Sequence, residues 1–315
     1  MQNHFNLTIL LLCLSFFATG FSAKTPDKTA DAQQSATTQN VQKKTEAKVD
    51  SAKLTETCIT SLKALPGRTN PEALKAVCET VKLIEGCNSV DGQPIYHFDK
   101  LAANNPDAQR IFVMALIHGD EVPSGSVARS WMERLHTLDP RNHWRVVPVA
   151  SPDGLKKGTR TNTRGVDLNR NFPSIDWEKS ALYKWRSVNK ADPRRYPGPT
   201  AASEPETHCY LKHITEFKPD LVISIHTPLA VLDFDGPQIQ FPKTETQLKW
   251  RSIGTYPGSL GQFLWKDQKI PVLTVELTPD GNVNELEKFD QLQDVSGKLA
   301  KQVSEKLKRS PSQNK

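Results

Sequence analysis

Residues 111–121 read Ile111-Phe112-Val113-Met114-Ala115-Leu116-Ile117-His118-Gly119-Asp120-Glu121, an unbroken apolar run that ends in an imidazole and a carboxylate three positions apart. Apolar runs without alternation mark strands buried on both faces, as in parallel sheets covered by helices. Outward from this stretch, similar short runs recur at Val146 to Ala150, Leu221 to Ile225 and Val272 to Leu277. Between them lie stretches of helical spacing, Ser124 to Leu138 and Glu204 to Phe217, with Ser203 placed to cap the second. A last amphipathic helix is expected over Glu285 to Leu307. Strands alternating with helices predict an α/β fold, a mixed, mostly parallel sheet flanked by helices.

Three of the strands end in reactive residues. His118 and Glu121 follow the first run, His226 follows Leu221 to Ile225, and Glu276 follows Val272-Leu273-Thr274-Val275. In open α/β sheets, ligands sit beyond the carboxyl ends of the strands. Taken singly, each signal is weak: His-x-x-Glu recurs on polar turns, and a lone strand-end histidine is ordinarily a hydrogen-bonded core residue. Glu276 is harder to dismiss, because a carboxylate in an apolar run needs a partner or a function. Together, two histidines and one carboxylate make a recurring catalytic zinc set with one position left for water. The spare carboxylate, Glu276, is then free to move protons.

The chain has 315 residues, 37% of them hydrophobic, enough for one main domain, which is read as 91–307. Its net charge of +6 is spread among interleaved acids and bases, which favours an acidic substrate or a bacterial envelope over nucleic acid. Residues 1–23 carry an apolar run from Leu7 to Phe17 and end in Phe21-Ser22-Ala23, the layout of a secretory signal too short to span a bilayer. The mature protein is therefore expected to be periplasmic or secreted, without stable membrane insertion. Residues 24–53 are polar and read as a disordered linker, 54–90 as a small helical segment broken at Pro66-Gly67, and 308–315 as a polar tail. Export makes Cys58, Cys78, Cys87 and Cys209 candidates for disulfides. Three pairings are possible, and Cys78 with Cys87 is favoured as a short staple; a thiolate zinc site would lack any Cys-x-x-Cys pair.

Ser151-Pro152-Asp153-Gly154 reads as a plain turn after a strand. Gly158-Thr159-Arg160 and Gly165-Val166-Asp167-Leu168-Asn169-Arg170-Asn171-Phe172 have the composition of loops. Their arginines carry the planar fork that matches carboxylates and stabilises a developing oxyanion.

The order His118-x-x-Glu121, the Gly165 to Phe172 segment, Ser224-Ile225-His226 and Val275-Glu276-Leu277 resembles the zinc carboxypeptidase family from about Asp91 to Leu307. Within it, Gly158 through Pro173, Pro228-Leu229 with Asp235-Gly236-Pro237, and Pro257 to Gly261 are most similar to the bacterial murein tripeptide amidases. Those enzymes cleave between γ-D-glutamate and meso-diaminopimelate. The resemblance implies one Zn2+ held by His118, Glu121 and His226, with Glu276 as general acid/base and Arg160 at the oxyanion. It further implies that Asn169 and Arg170 clamp the substrate's free carboxylate. The family's loop tyrosine has no clean counterpart: Tyr256 stands near that place and is assigned no role. The family's Asn-Pro-Asp-Gly turn reads Ser151-Pro152-Asp153-Gly154 here. Asp235, read with Asp233 as lying in a loop past His226, is a candidate for the distal ammonium of diaminopimelate. Alternatives are a general peptide carboxypeptidase or an amino-acid deacylase on the same fold. A non-enzyme alternative is an inactive wall-binding module, against which the complete set of metal and acid/base residues speaks.

Overall fold

The four apolar runs become strands of a single sheet because each can bury side chains on both of its faces. The computed structural model describes residues 51–244 and 246–308; the signal-like leader, the polar stretch to Asp50 and the tail beyond Lys308 lie outside them. The strands are β1 (Phe98–Lys100), β2 (Arg110–Ala115), β3 (His143–Val147), β4 (Leu221–His226), β5 (Val231–Asp235), β6 (Lys249–Trp250) and β7 (Val272–Glu276). They are ordered β1-β3-β2-β4-β7-β5-β6. The four pairs β3-β2, β2-β4, β4-β7 and β5-β6 are parallel, and β1-β3 and β7-β5 are antiparallel. The sheet is thus mixed and mostly parallel, as expected.

The helices are α1 (Ser51–Lys63), α2 (Pro71–Cys78), α3 (Val122–Thr137), α4 (Pro152–Lys157), α5 (Pro205–Phe217) and α6 (Asp290–Lys308). Side chains on β2 alternate between two cores. Ile111, Val113 and Ala115 pack beneath α1, α2, α3 and α6, whereas Phe112 and Met114 meet Cys209, Tyr210 and Phe217 of α5. The helical lead-in docks on the first core, and the described residues fall within one compact unit. Arg129 of α3, fully buried, secures it by donating to the carbonyls of Leu62, Leu65, Pro66, Gly67 and Arg68.

Several expectations need correction. The first apolar run outlasts its strand: β2 stops at Ala115, and Leu116 turns the chain with φ 53° while staying buried. β3 starts earlier than its apolar run, because Arg145 on it pairs with Asp99 of β1 at 2.8 Å. The short strands β1, β5 and β6 carry Asp or Lys and lack an apolar run. Ser203 does not cap α5; Glu204 holds that position, and the Ser203 hydroxyl instead donates to Glu204 Oε1 at 2.7 Å. Ser151 to Gly154 is no plain turn but opens α4, where buried Asp153 accepts from Ser89 Oγ and from the Asp91 backbone. One 3-10 turn, Leu286–Phe289, precedes α6, so the last helix starts later than expected.

The disulfides are Cys58–Cys78 and Cys87–Cys209, not Cys78–Cys87. Sheet geometry explains this: Cys58 and Cys78 lie in the core under α1 and α2, and Cys87 and Cys209 lie in the core on the other side. Among the described residues no helix is long and apolar enough to cross a membrane.

Candidate functional site

The carboxyl ends of β2, β4 and β7 lie side by side in the middle of the sheet. In register, His226 is directly opposite Glu276 across the β4–β7 pair. His118 and Glu121 come from the connection between β2 and α3, and Glu121 is the residue that begins the helix. Gly119 lets that connection pass: a Cβ there would stand 1.9 Å from the Gly154 carbonyl carbon at the start of α4. No residue larger than glycine fits between the first two metal-side residues and their support.

The donor atoms converge. Glu121 Oε1 is 2.7 Å from His118 Nδ1, and Glu121 Oε2 is 2.9 Å from His226 Nδ1. All three side chains are buried. Burial opposes the charge of Glu121, yet His118 and His226 outweigh it and hold the carboxyl well below the usual range. The distal ring nitrogens are also engaged. Asp167 Oδ1 accepts from His118 Nε2 at 3.1 Å, and Ser224 Oγ lies 2.8 Å from His226 Nε2. With Nε2–H committed to Asp167, the Nδ1 lone pair of His118 points where a cation would sit, the arrangement expected of a metal-ligating histidine. Two imidazole nitrogens and a carboxylate, each steered by an outer partner, fit Zn2+.

Asp167 is the functional residue that motif reading passed over. It is fully buried; burial raises its pKa, but Arg170, His118 and Arg160 outweigh that and keep it ionised. One oxygen accepts from His118 and from the Asn169 backbone at 3.0 Å, and the other accepts from Arg160 at 2.9 and 3.0 Å. It therefore orients a candidate metal ligand and an oxyanion candidate at once. Its signal in the sequence was a lone acid between two arginines in an otherwise loop-like segment. Ser224 and Asp120 were missed as well; Asp120 accepts from Arg194 at 2.9 Å.

The remaining candidates share one cavity of about 480 Å³ with the metal-side residues: Glu276, Arg160, Asn169, Arg170, Asp233 and Asp235 all line it. Glu276 ends β7, 8% exposed, and accepts from the Leu229 backbone at 3.4 Å. Arg160 Nη1 stands 3.2 Å from His118 Nδ1. Asn169 Oδ1 accepts from the Leu260 backbone at 2.9 Å, which turns its amide nitrogen away from that contact. Arg170 donates to the Asn169 carbonyl at 2.7 Å and lies over the Tyr256 ring, 4.5 Å from its centroid. Tyr256 is thus in the cavity, held between Arg170 and Lys184.

Asp233 and Asp235 are not in a loop: they sit two apart on β5, so both face the same side. Burial raises Asp233, and burial together with Asp233 pushes Asp235 up to about 6 against the opposing pull of Lys266. Gly261 leaves room for the Asp235 carboxylate, since a Cβ at that position would lie 2.3 Å from Oδ2.

A family model described as zinc carboxypeptidase matches residues 72–255. Murein peptide amidase A of Escherichia coli K12 is 33% identical over 214 residues, 64% of this chain and 83% of that protein. Murein peptide amidase A of Vibrio campbellii is 30% identical over 202 residues, 61% of this chain and 77% of that protein. The crystal structure of murein-tripeptide amidase from Escherichia coli O157 aligns with a TM-score of 0.50 and 28% identity, covering 68% of this chain and 91% of that one.

Proposed function

Because the chain belongs to the zinc carboxypeptidase family and is a zinc metallopeptidase, we propose that it hydrolyses the γ-D-glutamyl-meso-diaminopimelate bond of peptidoglycan stem peptides. The observation that carries this reading is a single cavity. It holds the His118, Glu121, His226 donor set with Glu276 beside it, Asn169 and Arg170, and two acids on β5. The substrate class comes from the relatives named murein peptide amidase A. The acids fit diaminopimelate, whose distal end carries an ammonium that an apolar pocket would reject.

His118, Glu121 and His226 would hold Zn2+, which would supply a Lewis acid for the scissile carbonyl and lower the pKa of a water toward neutrality. Glu276 accepts the water's proton and returns it to the leaving amine, a role that suits a carboxylate at a strand end with one weak backbone contact. Arg160, fixed by Asp167, donates to the carbonyl oxygen as charge builds on it. Asn169 and Arg170 hold the terminal carboxylate next to the scissile bond, so the enzyme removes residues from a free carboxyl end. Asp235, with Asp233, receives the distal ammonium.

The setting is proposed to be periplasmic or secreted. The signal-like leader and two disulfides that staple opposite cores support it. There the enzyme would trim stem peptides on the wall itself.

The test is a comparison of purified protein on L-Ala-γ-D-Glu-meso-diaminopimelate and on ordinary α-linked peptides with free carboxyl ends. Preference for the murein tripeptide is expected. Equal or better turnover of ordinary peptides would replace this reading with that of a general carboxypeptidase, and release of an acyl group from acylated amino acids alone would make it a deacylase.

A further inference from the structure

A second cavity of about 880 Å³ adjoins the metal cavity, and the two share Arg160 and Arg194. Arg164 and Arg186 also line it, and no acidic side chain does. Its remaining wall includes Trp185 and Tyr196, whose rings lie 4.8 Å apart at 53°. Trp185 is fixed there by donating its indole N–H to the Asp192 carbonyl at 2.8 Å. Apart from Arg160, no residue that lines it has a part in the proposed catalytic cycle.

Its position gives it a direction. The groups assigned to the carboxyl end of the substrate, Asn169, Arg170, Asp233 and Asp235, line the metal cavity and are absent from the second one. A chain running from that clamp past the metal donors to Arg160 and Arg194 enters the second cavity with its amino-side portion. The charge there is unbalanced. Arg164 has one ionic partner, Glu204 at 3.6 Å, and Arg194 has Asp120 at 2.9 Å. Arg186 is exposed and has no ionic partner among the described residues. A guanidinium offers five donors in a fork, so one carboxylate partner leaves capacity for a second.

Peptide chemistry then narrows the ligand. In an ordinary α-linked peptide, the residue that supplies the scissile carbonyl offers only neutral amides on its amino side. In a γ-linked glutamyl residue the scissile carbonyl belongs to the side chain, and the α-carboxylate stays free a few bonds away on that side. We propose that the second cavity is the amino-side subsite and that its arginines, Arg194 and Arg186 foremost, read this free α-carboxylate. The Trp185–Tyr196 face forms the wall along which the neighbouring alanine and anything attached to it lies. The inference rests on the murein-peptide reading and adds the group by which γ-linkage is recognised.

The experiment uses the zinc-loaded full chain and two substrates, L-Ala-γ-D-Glu-meso-diaminopimelate and the same tripeptide with its glutamyl α-carboxylate converted to the amide. Wild type is expected to favour the free acid at least tenfold in kcat/KM, as a charge-assisted contact implies. Arg194→Gln and Arg186→Gln should each shrink that preference, through KM, and Arg186→Lys should restore part of it. Equal kcat/KM for acid and amide in wild type, or an undiminished preference in both Gln variants, overturns the proposal while leaving the murein reading standing. Failure to cleave either tripeptide, with ordinary peptides cleaved, removes the murein reading and this inference with it.

Discussion

The two ends of the cleft are built on different principles. At the metal end, His226 and Glu276 sit in register on neighbouring central strands, and His118 and Glu121 lie in the connection that follows a third; all are less than a tenth exposed. At the substrate end, the side chains come from an edge-side strand and from loops: Asp233 and Asp235 on β5, Asn169 and Arg170 after Asp167, and Arg194 on an exposed turn. Strands held on both sides fix donor atoms to within the tolerance a metal demands, whereas the loop-built end can change specificity without moving the metal ligands. Loss of a group at the metal end should therefore appear in kcat, and loss at the substrate end in KM.

The largest effect is expected for Glu276→Gln. The amide keeps the size of the carboxylate but accepts no proton, and general acid/base catalysis is worth roughly 10²–10⁴-fold. Turnover of the murein tripeptide should fall by roughly 10²–10⁴-fold, with zinc content by metal analysis unchanged. Full activity in this variant would transfer the proton-handling role to another group. Loss of zinc would instead make Glu276 part of the metal end.

A smaller loss should follow Asp167→Asn. Asp167 is not a donor to the metal site, but it orients His118 and Arg160 through both of its oxygens. Removal of such an outer partner typically costs about 10–100-fold in metal affinity or activity. Zinc affinity and kcat should both fall while KM stays close to wild type. Stability needs to be followed in parallel, because the substitution leaves Arg160 without its buried ionic partner. If a well-folded Asn variant binds zinc and turns over normally, the metal end does not depend on this support.

This difference between the ends also decided what the sequence could reveal. Strand-end histidines and glutamates were legible because uninterrupted apolar runs announce central strands and the polar residue after each run is conspicuous. The α/β character and the mostly parallel central strands followed from the same runs, whereas the strand order did not, because β1, β5 and β6 carry no apolar run. What stayed hidden was whatever depended on polar strands or on long-range packing. β5 alternates apolar and acidic residues over Leu232 to Asp235, so its two acids looked like loop residues. Asp167 was quoted within a motif, but its grip on His118 spans 49 positions. The disulfides were misjudged because a short staple was favoured for an element with little core of its own, whereas Cys87 reaches Cys209 across 122 positions once both lie in the same core. The second cavity, walled by Arg160, Trp185 and Tyr196, has no signature in any one segment.

The smallest expected effect tests the substrate end by pH. Burial and the neighbouring Asp233 push Asp235 up to about 6, so above that pH the carboxylate is charged and below it is neutral. The proposed attraction for the distal ammonium is thus present above pH 6 and fades as pH falls through it. KM for the murein tripeptide should rise several-fold between pH 7 and pH 5, whereas KM for an otherwise identical peptide lacking the distal ammonium should change far less. The difference should vanish in Asp235→Ala, which at pH 7 should itself raise KM selectively for the tripeptide. Bound ammonium favours the charged carboxylate, so Asp235 should titrate lower in the substrate complex than in the free enzyme, whose value kcat/KM reports. Parallel pH profiles for both peptides in wild type would detach Asp235 from ammonium recognition and leave the metal end untouched.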